Sequence, residues 1–166
     1  GIFGFGTIGK AMATAGKAFG MKILADSHRP MTYEGVEFTD TDTLFARADY
    51  LTLHCPLTDE TRGLVNSRTL SLMKPSAVII NTARGGVVEE AALTAALKNG
   101  TIRGAGIDVL DIEPMYKNHP YLTAPNCYVT PHVAWAAYEA RVRLIDIVAE
   151  NIRAFASGNP INSVSK

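Results

Sequence analysis

Gly4-Phe5-Gly6-Thr7-Ile8-Gly9 constrains the fold more than any other stretch of the chain. It follows the apolar pair Ile2-Phe3 and opens an Ala-rich segment of helical character from Thr7 to Phe19, with Gly20 as its stop. Met21 to Ala25 then reads as a second strand ending at Asp26. A strand, a glycine turn and a helix in succession make the start of a βαβ unit, and such units build parallel sheets.

The alternation continues to the end of the chain. Val36 to Phe38 reads as a short strand, followed by a helix through Ala48 that Thr41 or Asp42 can cap. Tyr50 to His54 reads as a buried strand that stops at Cys55-Pro56, since proline disfavours continuation. A short helix over Ser67 to Met73 precedes the apolar run Ala77-Val78-Ile79-Ile80, which ends at Asn81-Thr82-Ala83-Arg84-Gly85-Gly86. Glu89 to Lys98 is a helix with acids in its first turn and Gly100 behind it. Gly104 to Val109 and Cys127 to Thr130 are the last strands, separated by a loop that Pro114, Pro120 and Pro125 mark. An amphipathic helix from Ala136 to Ala156 stops at Gly158. The expected fold is α/β, with a doubly wound, mainly parallel sheet.

At 166 residues, with no repeat and no linker, the chain is expected to form one domain over 1–166 and to bury about 70% of its unfolded surface. Gly1-Ile2-Phe3 is short for a first strand, which typically runs about 5–6 residues. The chain is therefore read as a fragment whose first strand is cut. Sixteen basic and sixteen acidic residues cancel, which gives no sign of a nucleic-acid or anionic-membrane surface. No apolar stretch reaches the roughly 18 residues of a membrane span. Cys55 and Cys127 lack metal-type spacing and are too few for a disulfide scaffold, so a reduced, cytoplasmic setting is the default and no metal is expected.

The glycine turn implies a dinucleotide. Its glycines, with Thr7 and Ile8, allow a backbone to approach a pyrophosphate, which the following helix N-terminus stabilises. Asp26 stands near the expected spacing of about 20 residues, where a carboxylate accepts hydrogen bonds from the ribose hydroxyls and repels a 2′-phosphate. That favours NAD over NADP, although His28 and Arg29 just beyond the strand can accommodate a 2′-phosphate.

Three polar residues sit where strands should end, and ligands of open α/β sheets bind at the carboxyl ends of strands. Arg84 projects from a glycine-flanked turn and offers a fork of donors to a carboxylate or an adjacent carbonyl. His132, after Thr130-Pro131, can take a hydroxyl proton or return one to a ketone oxygen. Glu113 can orient that ring and favour its protonated form. Asp108 either binds a nicotinamide carboxamide or caps a loop. His54 lies near the cofactor crevice by its strand end, His28 and His119 read as loop residues, and Trp135 reads as packing, or as shaping the pocket from its place just after His132.

Five motifs taken together resemble the NAD-binding domain of the D-isomer-specific 2-hydroxyacid dehydrogenases, a Rossmann-type domain. They are the glycine turn, Leu53-His54-Cys55-Pro56-Leu57-Thr58, Asn81-Thr82-Ala83-Arg84-Gly85, Gly106-Ile107-Asp108-Val109 with Glu113-Pro114, and Thr130-Pro131-His132. The resemblance implies catalytic roles for Arg84, Glu113 and His132. It also implies a cofactor site that adds Cys55, Pro56, Thr61, Thr82, Ala83, Arg84, Asp108, His132 and Ala134 to Gly4, Gly6, Thr7, Ile8, Gly9 and Asp26. The segment from His132 to Trp135 is closest to glycerate dehydrogenase or hydroxypyruvate reductase members, and Glu113 stands where formate dehydrogenase members carry glutamine. Met115-Tyr116-Lys117-Asn118-His119 departs from the proline-rich version of that loop. The implied activity is hydride transfer between NAD and a small 2-hydroxy or 2-keto acid, hydroxypyruvate or glyoxylate being favoured, with a homodimer formed through this domain. Two alternatives stay open: an NAD-binding and dimerising module without activity of its own, and a phosphite-oxidising relative.

Overall fold

A seven-stranded sheet in the order β3-β2-β1-β4-β5-β6-β7 organises the computed structural model, which describes residues 1–28 and 31–164. The strands are β1 (Ile2–Phe3), β2 (Ile23–Asp26), β3 (Val36–Phe38), β4 (Tyr50–Leu53), β5 (Val78–Asn81), β6 (Gly104–Ile107) and β7 (Cys127–Val129). Every pairing between neighbours is parallel. The helices are α1 (Thr7–Ala18), α2 (Thr41–Arg47), α3 (Ser67–Leu72), α4 (Glu90–Lys98) and α5 (Tyr138–Ala156). The chain leaves β1 for β2 and β3 on one side and returns to place β4 on the other, so the order reverses at β1. This is the doubly wound α/β fold expected from the alternation.

The inner strands are largely buried, as in a parallel sheet covered by helices, whereas the edge strands β3 and β7 are only partly buried. Leu51, Leu53, Ile79, Ala105 and Ile107 join Leu44, Phe45, Leu70, Leu93 and Leu97 from the helices in one core cluster. Ile2, Phe5, Ala13, Ile23 and Ala25 form a second cluster beneath α1. On α1 the buried positions are Gly9, Ala13 and Gly16, so the helix lies close on the sheet.

Several element ends differ from expectation by one or two residues. Asp40 caps α2, its carboxylate accepting from the Thr43 amide at 2.9 Å, whereas Thr41 and Asp42 fall inside the helix. The α5 helix begins at Tyr138 rather than Ala136. Two 3₁₀ turns, Gly85–Val87 and Pro120–Thr123, interrupt segments that carry no sequence signal for them.

The chain divides into two compact units, Gly1–Pro131 and His132–Lys166. The first holds the sheet, and the second is built on α5, none of whose residues is buried. No helix among the described residues is long and apolar enough to cross a membrane. Arg29, invoked above for a 2′-phosphate, lies outside the described residues.

Candidate cofactor and catalytic site

Parallel pairing puts the carboxyl ends of all the strands at one edge, and the reversal of strand order at β1 opens a crevice there. Gly4 turns the chain out of β1 with φ of +92°, and a Cβ at this position would stand 2.7 Å from the His54 carbonyl. Only glycine fits there without strain. A Cβ at Gly9 would come within 2.3 Å of the Gly4 carbonyl oxygen, so the turn is closed tightly on itself. Gly6 differs, since a Cβ there would meet nothing within 4 Å. The open side of the turn thus faces away from protein atoms. Gly6 is also the N-cap of α1, with no side-chain cap and no acid in the first turn, so the leading amides remain available to an anion. Ile8, on that first turn, is exposed.

Asp26 ends β2 on the strand beside β1. Its backbone carbonyl accepts from the Gly4 amide at 3.1 Å, and its carboxylate accepts from the Thr41 hydroxyl at 2.5 Å. The hydroxyl leaves carboxylate lone pairs for further donors. The turn, the uncapped helix end and this acid together fit a dinucleotide.

At the end of β5, Asn81 is 1% exposed. Its carboxamide Nδ2 donates to the Arg84 carbonyl at 2.9 Å while Oδ1 accepts from the Ala83 amide at 3.0 Å. This local bridge bends Thr82-Ala83-Arg84 into a turn. It leaves Thr82 and Arg84 exposed, with one guanidinium nitrogen donating to the Ala83 carbonyl at 2.6 Å. Gly85 then lies against the loop that follows β6. A Cβ on it would be 1.9 Å from the Leu110 carbonyl carbon and 2.3 Å from the Asp111 nitrogen. That loop carries Glu113, whose Oε1 accepts from the Leu110 amide at 2.9 Å. Asp108, immediately after β6, is 4% exposed and accepts from the Thr130 hydroxyl at the end of β7.

His54 follows β4, the other neighbour of β1, and its Nε2 lies 3.1 Å from the Thr52 hydroxyl. Burial pushes this imidazole below its ordinary value, because desolvation disfavours the charged ring. Cys55 is buried and its thiol is pushed up by desolvation. Thr61 closes the loop behind Pro56, donating to the Pro56 carbonyl at 2.7 Å and accepting from the Thr58 amide at 2.8 Å.

His132 and Ala134 belong to the second unit. His132 has φ of +54°, in the left-handed region, and its carbonyl accepts from the Trp135 indole at 2.9 Å. Trp135, read as packing, is largely exposed. His119, read as a loop residue, is 1% exposed between Tyr116 and Tyr121. Its chain position does lie outside regular secondary structure, but long-range packing closes over it.

Asn81, Thr41 and Thr130 hold site segments through the bonds above, and Glu90 does so by accepting from the Asp111 amide at 3.0 Å; none of the four was expected in that role. Asn81 alone had a local signal, an Asn at a strand end just before a turn. A cavity of about 900 Å³ lies on the opposite edge, lined by Gly1, Lys22 and Tyr50 at the starts of strands and by Lys74 in the turn between α3 and β5. It is remote from the glycine turn, and ligands of such sheets bind at the carboxyl edge. Among the described residues no group of three or more His, Cys, Asp and Glu side chains could hold a metal ion.

Residues 1–134 match the family described as D-isomer specific 2-hydroxyacid dehydrogenase, NAD binding domain. The chain is 46% identical over 166 residues to glycerate dehydrogenase of Methylorubrum extorquens, covering 99% of this chain and 52% of the relative. Among solved structures it resembles the NAD-complexed D-isomer specific 2-hydroxyacid dehydrogenase of Lactobacillus delbrueckii ssp. bulgaricus. The TM-score is 0.90 at 30% identity, over 99% of this chain and 55% of that one. It also resembles an NADPH-dependent glyoxylate/hydroxypyruvate reductase of Sinorhizobium meliloti solved with NADP and sulfate, with a TM-score of 0.86 at 34% identity, over 99% of this chain and 54% of that one. The chain spans about half the length of the curated relatives it matches.

Proposed function

The chain belongs to the D-isomer specific 2-hydroxyacid dehydrogenase family through its NAD binding domain, and on that basis we propose that it is the cofactor domain of a reductase of small 2-keto acids, hydroxypyruvate or glyoxylate being favoured. NAD is the favoured cofactor, because the Asp26 carboxylate at the end of β2 suits ribose hydroxyls and repels a 2′-phosphate.

The glycine turn and Asp26 would hold the dinucleotide, whose nicotinamide would supply hydride chemistry for the keto acid. Arg84 binds the substrate carboxylate through its guanidinium fork and draws electron density from the adjacent carbonyl. His132 donates a proton to the carbonyl oxygen, which completes the alcohol, and recovers it in the reverse direction. Glu113 acts through His132, orienting the ring and favouring the imidazolium. Asn81 holds the Arg84 turn in shape from below.

The observation that carries this reading is the lock between the Arg84 turn and the Glu113 loop at Gly85, on the same sheet edge as an uncapped glycine turn. A homodimer through this domain and a cytoplasmic setting belong to the same proposal. Relatives named glyoxylate reductase and hydroxypyruvate reductase support the substrate class. Assay of the full-length protein with NADH and hydroxypyruvate, glyoxylate or pyruvate, and with NAD and phosphite, tests it. Keto-acid reduction is expected to exceed phosphite oxidation. NADH binding without any turnover would leave only a binding module, and phosphite as the preferred substrate would replace the reading.

A further inference from the structure

Glu90 and His119 form an ionisable pair that the chemistry above does not use, the imidazole 1% exposed and the carboxylate 18%. Glu90 lies in the first turn of α4, where the helix N-terminus favours a carboxylate. Its Oε1 accepts from the Asp111 amide at 3.0 Å. Its Oε2 stands 3.0 Å from His119 Nε2, off the line of a hydrogen bond. His119 Nδ1 accepts from the Tyr121 amide at 3.2 Å, which leaves Nε2 as the ring nitrogen beside the carboxylate. The rings of Tyr116 and Tyr121 lie against this imidazole at centroid distances of 4.8 and 4.9 Å.

The two neighbouring amides of the loop after β6 are thus held by two carboxylates. Leu110 donates to Glu113 and Asp111 to Glu90. We propose that Glu90 is a positioning residue for Glu113, its carboxylate bridging the Asp111 amide and the buried His119 so that the 110–113 segment is fixed against α4. Glu90 touches neither substrate nor cofactor in this scheme. The inference rests on the function proposed above for its catalytic consequence, while its structural half stands independently.

The test compares Glu90→Ala, Glu90→Gln and His119→Asn in the full-length protein. Glutamine retains an acceptor for Asp111 but sets an NH2 group rather than an oxygen beside His119, a partial loss, and asparagine at 119 retains an acceptor for the Tyr121 amide. Glu90→Ala is expected to lower kcat about tenfold, with the NADH dissociation constant within about twofold of wild type. Hydrogen exchange is expected to accelerate at 110–113 and to stay unchanged in β6. Glu90→Gln is expected to keep kcat within about threefold, with His119→Asn falling between the two. Wild-type kcat and exchange in Glu90→Ala would overturn the proposal, as would equal losses in Glu90→Ala and Glu90→Gln. A wild-type protein inactive on keto acids, yet with faster 110–113 exchange in Glu90→Ala alone, would remove the proposed function and leave the clamp in place.

Discussion

Gly85 and Leu110 are in backbone contact: a single Cβ on Gly85 would sit 1.9 Å from the Leu110 carbonyl carbon. The turn that presents Arg84 and the loop that presents Glu113 are therefore one mechanical unit, although they follow different strands. No side chain can rotate to relieve such a clash, because the obstructing atoms are main chain. Gly85→Ala is expected to destabilise the fold by about 1–3 kcal/mol and to depress turnover along with it. A denaturant midpoint measured beside kcat checks this. A stable variant with full activity would show that the two segments are not coupled.

Asn81 works through both ends of its carboxamide, so shape alone should not replace it. Asn81→Asp keeps an acceptor for the Ala83 amide but turns an oxygen toward the Arg84 carbonyl. A buried donor is lost and two acceptors face one another, a cost of about 1–3 kcal/mol. Keto-acid kcat/KM is expected to fall about tenfold or more, with NADH affinity much less affected. Equal loss in both would point to general unfolding of the turn.

Arg84→Lys retains a positive charge and loses the planar fork. If the guanidinium binds the carboxylate and polarises the carbonyl, kcat/KM should fall about 10²–10³-fold, the scale of losing a preorganised donor at a reacting oxygen. Fluorescence titration with NADH should show little change. A lysine variant with near-wild-type kcat/KM would reduce Arg84 to a surface charge.

Asp26 makes the cofactor choice testable. Asp26→Ser is expected to remove the repulsion of a 2′-phosphate and to shift the NADH-to-NADPH ratio of kcat/KM toward NADPH by about tenfold, some 1.4 kcal/mol. An unchanged ratio would mean that discrimination is made by other residues.

His54 predicts a pH dependence of stability. Its folded-state value lies below the ordinary 6.5 because burial disfavours the imidazolium. The unfolded chain therefore binds this proton at higher pH than the folded one, and stability rises with pH between the two values. The contribution is fully present above about pH 6.5 and is lost as pH falls toward the folded-state value. In His54→Asn the decline of the denaturation midpoint from about pH 7.5 to 5.5 should be shallower than in wild type. An identical decline would assign it to other groups.

Much of the fold was legible because each buried strand, such as Tyr50–Leu53 or Val78–Asn81, is an apolar run bounded by a turn signal. Gly4, Gly9 and Asp26 were legible because a close backbone approach and a strand-end acid leave fixed spacings. Boundaries slipped where competing local groups decide them, as where Asp40 rather than Thr41 or Asp42 captures the free amides of α2. Contacts between distant segments left no local trace. The Glu90 carboxylate on the Asp111 amide, the burial of His119 and the pressure of Leu110 on Gly85 exist only after folding. The placing of Arg84 and Glu113 in turns after strands was therefore legible, whereas the Gly85 lock and the Asn81 brace that hold their segments emerged from the structure.

In the proposed function, His132 of this chain supplies the proton for keto-acid reduction beside the cofactor site. Single-turnover reduction of hydroxypyruvate by NADH-loaded full-length protein, wild type against His132→Asn, isolates that role, since asparagine tolerates the left-handed backbone at that position. The expected result is a rate lowered about 10²–10⁴-fold with NADH binding intact. A variant that reduces hydroxypyruvate at the wild-type rate would contradict it.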